Sequence, residues 1–383
     1  MRICIDARMM GPENTRGIGR YIEELVRAML QSEPDNRYIL IVRKAEHPFR
    51  NHPSVETLIA DIPWYGLAEQ FKMPGVFSRA AAELVHVPHW NVPVLYRGPL
   101  IVTVHDLLLR HFPLSAKTST RSWPMRLLKR LLYRIVVANA ISHARRILVP
   151  TEFVESDVRK LYSSAKWKVV VTGEGMPGVR EVRSRKLEDG DTDRQSSSFQ
   201  LLDSYLLYVG SAYPHKGLDD LLAAWPKILS RHPDLRLVLV GEKDVFMRRI
   251  EERVNAAGLE RVDFLGRVSD EELEGLYLGA TAFVFPTHFE GFGLPPLEAL
   301  AHGCPVIASD IQAMREVLGK NGATYFRLGD SDGILAAVES IMAQPEKSRS
   351  EAREAATELS RRHAWPRAAE KTLLAYGQAS KNP

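Results

Sequence analysis

The sequence predicts an α/β protein of two domains, each a parallel sheet with helices on both faces. Three observations carry that prediction. At 383 residues the chain exceeds one ordinary core, since about 150 residues make a typical domain. Short β-branched runs alternate with helical stretches along most of its length, the pattern of βα units. In both halves a glycine turn and a helix start follow a strand run, the arrangement in which open α/β sheets bind ligands at the carboxyl ends of their strands.

Composition narrows the function classes. Hydrophobic content of 45% and charged content of 26% are those of a globular protein. No apolar run reaches the ~18 residues of a membrane span, and the N-terminus enters a strand without the charged and apolar regions of a signal peptide. A cytoplasmic location is therefore expected. Cys4 and Cys304, the only cysteines, sit in apolar surroundings and read as buried thiols, with neither a disulfide framework nor a zinc site. A net charge of +4 is too small to indicate a nucleic-acid partner.

In the first half, residues 2–6 read as a buried strand, followed by Arg16, Gly17, Ile18, Gly19 and Arg20 and then an amphipathic helix over about 21–30. Gly-x-Gly between strand and helix can admit a phosphate, but a plain tight turn fits as well. Further strands are expected at 38–42, 57–59, 84–87, 100–104, 147–149 and 169–171. His105 and Asp106 close the fourth of these runs at its carboxyl end. Thr151 is an N-cap candidate.

Residues 121–146 interleave Arg121, Arg126, Lys129, Arg130, Arg134, Arg145 and Arg146 with Leu127, Leu128, Leu131, Leu132 and Ile135, with no acidic residue between. Such a helix can lie on an anionic membrane surface; it equally fits a packed helix with a solvated basic face. Residues 181–200 turn polar, with Ser196, Ser197 and Ser198 in a row, and read as a loop.

The second half opens with a strand at 205–210, then Lys216 at the start of a helix over about 218–229, where a diphosphate could be held. Strands follow at 237–241 and 262–265. Residues 281–286 form the next, ending in a glycine loop; Pro295 and Pro296 mark a helix start, Gly303 its stop, and 305–309 another strand. The amides of Gly291, Phe292, Gly293 and Leu294 precede a helix N-terminus, which favours anions. Glu290 lies in that loop and Glu298 in the first helical turn, a pure acceptor suited to a ribose diol.

Glu290, Gly291, Phe292, Gly293, Leu294, Pro295, Glu298, Ala299, Gly303, Pro305, Val306 and Ser309 match the pattern E-G-F-G-L-P-x-x-E-A-x-A-x-G-x-P-V-x-x-S. This segment resembles the signature of the family-4 retaining glycosyltransferases. Ile5, Asp6, Ala7 and Arg8 with Gly17 to Tyr21 resemble the I-D-A-R and G-I-G-R-Y opening of a subgroup containing many mannosyltransferases. The resemblance implies a GT-B architecture of two facing Rossmann-like domains with a C-terminal helix crossing back to the first. Its boundaries would be 1–172 for an acceptor-binding domain, with the helix about 365–383, 173–203 for a linker, and 204–364 for a nucleotide-sugar-binding domain.

It further implies transfer of a hexose with retention and without a metal, from GDP-mannose, to a glycan or polyprenyl-linked saccharide in cell-surface polysaccharide synthesis, with peripheral attachment to the inner face of the cytoplasmic membrane. UDP-glucose or UDP-N-acetylglucosamine is the alternative donor. Lys216 and the loop amides, with Gly17, Gly19 and Arg20, would stabilise the leaving diphosphate, Glu290 and His105 would hold the donor sugar, and Glu298 the ribose. Val268 falls in the segment that receives the base. Ser211 stands where the family usually has an arginine, a place Arg20 could fill. Asp191 and Asp193 mimic the metal motif of a different glycosyltransferase fold but sit in the polar loop. An epimerase or a non-catalytic assembly protein could use the same fold.

Overall fold

A computed structural model describes residues 1–11, 17–33, 35–113, 123–176 and 204–381. The chain divides into two compact units, the first holding the described residues of 1–175 and 363–381, the second those of 176–362. In unit 1 the elements run β1 (Arg2–Asp6), α1 (Ile18–Ser32), β2 (Arg37–Val42), β3 (Val55–Ile59), α2 (Leu67–Arg79), β4 (Leu84–Val87), β5 (Leu100–Thr103), α3 (Leu108–His111), α4 (Trp123–His143), β6 (Arg146–Val149), α5 (Glu152–Leu161) and β7 (Val169–Val171). Unit 2 continues with β8 (Tyr205–Val209), α6 (Leu218–Arg231), β9 (Arg236–Val240), α7 (Val245–Ala256), β10 (Val262–Gly266), α8 (Asp270–Gly279), β11 (Ala282–Phe285), α9 (Leu294–Ala301), β12 (Val306–Ser309), α10 (Gln312–Leu318), β13 (Thr324–Phe326), α11 (Ser331–Ala343) and α12 (Pro345–Arg362). The last helix, α13 (Trp365–Lys381), belongs to unit 1.

Both sheets are parallel. Their orders are β3-β2-β1-β4-β5-β6-β7 and β10-β9-β8-β11-β12-β13. Strands such as Leu84–Val87 and Ala282–Phe285 are buried along their whole length, as expected where helices cover both faces. In unit 1, α2, α4 and α5 pack on one face through Met73, Phe77, Tyr133, Val137, Ile141 and Val158, and α1 and α13 on the other through Tyr21, Ile22, Met29 and Tyr376. In unit 2 the indole of Trp225 is fully buried and donates to the Glu260 carbonyl at 2.9 Å.

The order of strands reverses once in each sheet, between β1 and β4 and between β8 and β11. At these switch points neighbouring strands send their following loops apart, leaving a crevice outside their carboxyl ends.

Helix α13 is tied into unit 1 by polar contacts as well as packing. The Tyr376 hydroxyl lies 2.6 Å from His86 Nδ1, Arg145 Nη1 donates to the Ala379 carbonyl at 2.8 Å, and Lys371 Nζ to that of Val171 at 3.2 Å.

Several expectations need adjustment. Helix α1 starts at Ile18, directly after Gly17, so Gly19 and Arg20 are helical rather than part of the turn. Strand β13 was not foreseen. Residues 173–175 belong to unit 1, although the sequence assigns them to the linker. Thr151 caps α5 as expected, accepting from Val154 N at 3.2 Å. Cys4 and Cys304 are buried and free, and burial raises both thiols, Cys304 to about 12. Arg16, Arg121, Asp191, Asp193 and the serines 196–198 lie outside the described residues.

Among the described residues no helix is long and apolar enough to cross a membrane. Helix α4 is nevertheless apolar on two sides. Tyr133, Val137, Ala140 and Ile141 are buried, whereas Leu127, Leu128, Leu131, Leu132 and Ile135 are 46–55% exposed.

Candidate active site

The loops leaving β8 and β11, the switch-point strands of unit 2, carry Lys216 and Glu290. Their side chains form a close ion pair, with relative exposures of 20% and 13%. Lys216 ends a short 3-10 turn, Pro214–Lys216, and so precedes α6 rather than starting it. The turn is tied to the β11 loop at one carbonyl: His215 O accepts from His288 N at 2.7 Å and from Thr287 Oγ1 at 3.1 Å. Thr287 Oγ1 also lies 3.4 Å from Glu290 Oε1.

Glycine is required at the junction. Gly217 has φ +67, and a Cβ there would meet the Pro286 carbonyl oxygen at 1.8 Å. Only glycine lets the two loops touch. His215 itself carries no charge near neutrality, because burial, then Lys216 and His288, lower its pKa to about 3. Among the described residues of these two loops Lys216 is the one lysine or arginine.

Gly293 caps α9 with φ +88, and a Cβ there would press on Met314 at 2.7 Å. Pro295 and Pro296 occupy the second and third positions of this eight-residue helix. Having no N–H, they leave Gly291, Phe292, Gly293 and Leu294 to present the amides at its start. Glu298 is the fifth residue of α9, not a first-turn residue as expected. The helix dipole acts mainly within the first turn, so a different group orients this carboxylate. That group is Tyr277 of α8, whose hydroxyl donates to Glu298 Oε2 at 3.3 Å. Tyr277 in turn stacks on His302 at 5.4 Å.

Two other expected residues follow strands of the same sheet, β8 and β10, at their carboxyl ends. Ser211 follows β8, and its carbonyl accepts from the Tyr208 hydroxyl at 2.6 Å. Val268 follows β10, the edge strand. Among the described residues no group of three or more His, Cys, Asp and Glu could hold a metal ion.

In unit 1, Gly17 is the N-cap of α1 at φ +63, Gly19 is buried, and Arg20 is partly buried in the first turn. His105 follows β5. Its Nδ1 lies 2.8 Å from Glu174 Oε1 and its Nε2 3.1 Å from the Pro88 carbonyl. Both partners accept, so both ring nitrogens donate, which describes an imidazolium paired with a carboxylate. Burial opposes that charge, yet Glu174 outweighs it and the His105 pKa is raised. Tyr21 packs edge-on against the ring at 4.6 Å. Glu174 was missed: it stands 69 residues away in a stretch with no motif of its own.

Two Rossmann-like units, one with a cation, a carboxylate and a glycine-capped helix start at its switch point, make up the GT-B fold that the sequence led us to expect. Residues 15–176 match the family model described as Glycosyltransferase Family 4, and residues 189–359 that described as Glycosyl transferases group 1. The chain belongs to glycosyltransferase family 4. It is 25% identical over 296 residues to the O-antigen chain mannosyltransferase RfbU of Salmonella typhimurium, covering 77% of this chain and 75% of that one. It is 31% identical over 189 residues to the O-antigen chain mannosyltransferase B of Escherichia coli, a match covering 48% of each chain, about half of that relative's length. Sucrose-phosphate synthase of Thermosynechococcus elongatus shares the fold at TM-score 0.72 and 21% identity, over 98% of both chains.

Proposed function

We propose that this glycosyltransferase moves mannose from GDP-mannose to a hydroxyl of a glycan or polyprenyl-linked saccharide, with retention, in cell-surface polysaccharide synthesis. The observation that carries the reading is the Lys216–Glu290 pair at the unit 2 switch point, beside the amides that start α9. The donor assignment is supported by the names of both mannosyltransferase relatives.

The leaving group is a nucleoside diphosphate, so the main task is to stabilise charge developing on its terminal phosphate. Lys216 is the point charge for this, and the amides of Gly291 to Leu294 add fixed dipoles. With these groups in place the reading includes no divalent metal. A diphosphate that engages Lys216 releases Glu290, whose carboxylate then accepts from donor sugar hydroxyls. Glu298, aligned by Tyr277, accepts from the ribose diol, and Val268 lies along the base. Gly17, Gly19, Arg20 and His105 keep the roles that the family resemblance implies for them.

The exposed leucines of α4 support peripheral attachment to the inner face of the cytoplasmic membrane. Arg130 and Arg134 are exposed beside them and no acidic residue lies in the interval, so the face complements anionic lipid.

Thermal shift against a panel of sugar nucleotides and diphosphates tests the donor, since a ligand that binds only the native state stabilises it. Stabilisation by GDP and GDP-mannose is expected; stabilisation by uridine species alone would reassign the donor. Lys216→Ala should lower turnover by ~10²-fold or more, as for loss of one oxyanion contact. Full activity in that variant would remove Lys216 from its role.

A further inference from the structure

Glu174, which no sequence motif marks, stands just past β7 between two glycines, and the chain on both sides of it is fixed within unit 1. Before it, the Thr172 N–H donates to the Val149 carbonyl at 3.0 Å, and Gly173 turns the backbone at φ +79. After it, Gly175 lies against the ring of Trp365, the first residue of α13, where a Cβ would meet the indole at 2.3 Å. Only glycine allows that approach. The Glu174 carboxylate so placed is buried, 2.8 Å from His105 Nδ1.

The His105 ring is seated as firmly. Tyr21 packs edge-on against it at 4.6 Å, with Trp365 5.9 Å from that tyrosine on another side. The Tyr21 hydroxyl lies 3.5 Å from Thr103 Oγ1, which is 2.8 Å from His86 Nε2, and His86 Nδ1 reaches the Tyr376 hydroxyl at 2.6 Å. So α1, β4, β5 and α13 all contribute to the seat. Burial opposes a charge on His105, whereas Glu174, the Pro88 carbonyl and Asp106 favour it, and the balance raises its pKa. Burial, and then the His105 charge, lowers His86 and His89 to about 3, so neither competes for the proton. Burial likewise keeps Tyr21 a neutral phenol.

These contacts decide what His105 can offer a ligand. Its Nδ1–H is engaged by Glu174 and its Nε2–H by the Pro88 carbonyl, yet the side chain keeps 16% of its surface exposed. With both N–H groups engaged, what it presents is a positive charge of fixed position. A buried ion pair seldom adds net stability over an apolar pair of the same size, so stability alone gives no reason for one here. This one sits at the carboxyl end of β5, next to the switch-point strand β4.

We propose that Glu174 is a positioning residue: it holds His105 as a doubly protonated, immobile ring, so that His105, in the role the resemblance implies for it, acts by charge and not through an N–H. The effect on a donor sugar rests on the transferase reading; the fixed charge does not.

Two measurements on the full chain test it. Nitrogen NMR of isotope-labelled histidine at about pH 6.5 should show both His105 nitrogens protonated in the parent and one of them bare in Glu174→Gln, where burial outweighs the remaining partners. The His105 signals are assigned by their loss in His105→Gln. Titration calorimetry with GDP-mannose and UDP-glucose, each against its free diphosphate, reads the effect on the donor. Glu174→Gln should weaken the sugar nucleotide that binds by about tenfold and leave its diphosphate unchanged, and Glu174→Asp, which keeps the charge, should recover most of the loss. A bare His105 nitrogen in the parent overturns the proposal without need of any variant, and so does an imidazolium that persists in Glu174→Gln. Equal weakening of sugar nucleotide and diphosphate also overturns it, by showing that Glu174 only supports the unit. A Glu174-dependent imidazolium in a protein that binds no nucleotide would uphold the fixed charge and refute the transferase reading.

Discussion

Lys216 and Glu290 neutralise one another, and His105 and Glu174 do the same in unit 1. The second pair has a pH signature. A histidine whose folded pKa is raised contributes stability that is full below about pH 6.5 and is lost as pH rises through the folded value. His86, His89 and His215 act in the opposite sense: burial leads in lowering each to about 3, so stability falls as pH drops from about 6.5 toward that value. Thermal midpoints between about pH 4 and 9 should therefore peak near neutrality, and His105→Gln should flatten the alkaline side while keeping the acid side. An unchanged alkaline slope would show that His105 is uncharged. Glu290 and Gly293 could be singled out because they sit in a patterned segment, and Lys216 because it precedes a helix start. Glu174 and Tyr277 were not, because each acts through one distant contact that leaves no local pattern.

At the scale of elements, α4 makes the clearest contrast between sequence and structure. Its composition left two readings open; in the structure the buried stripe is Tyr133, Val137, Ala140 and Ile141, and the leucines lie elsewhere. Leu128→Ser with Leu132→Ser should reduce sedimentation with phosphatidylglycerol vesicles by ~10²-fold, from about 1.5–3 kcal/mol per buried leucine. Thermal stability should change little, since neither side chain is in the core. Equal sedimentation by parent and variant would reject the membrane face. Strand β13 escaped the sequence because three residues, Thr324–Phe326, are too few to show a period. Helix α1 started early because Ile18 and Gly19 were read as turn residues on the strength of the glycine, whereas only Gly17 takes the turn conformation.

For the molecule as a whole, the alternation of strands and helices was enough to predict two parallel sheets, because buried parallel strands need apolar runs and βα connections. The placement of α13 came from resemblance, since the run from Trp365 carries nothing that states which sheet it covers. In the structure Tyr376 reaches His86 across 290 residues of sequence. Deleting 365–383 should unfold unit 1 and leave unit 2 able to be stabilised by GDP, measurable as loss of one calorimetric transition with the nucleotide response kept. Survival of both transitions would show that α13 only ornaments unit 1.

Because its first and last segments belong together, unit 1 has an order of assembly imposed by the ribosome. Residues 1–175 emerge first, all of unit 2 follows, and α13 comes last. At about 5–20 residues per second, the roughly 190 residues in between take about 10–40 s to synthesise. Throughout that interval the sheet surface around Ile3, Tyr38 and Leu148 lacks its final cover. The nascent chain should spend that time as a chaperone client, with unit 2 finished before unit 1.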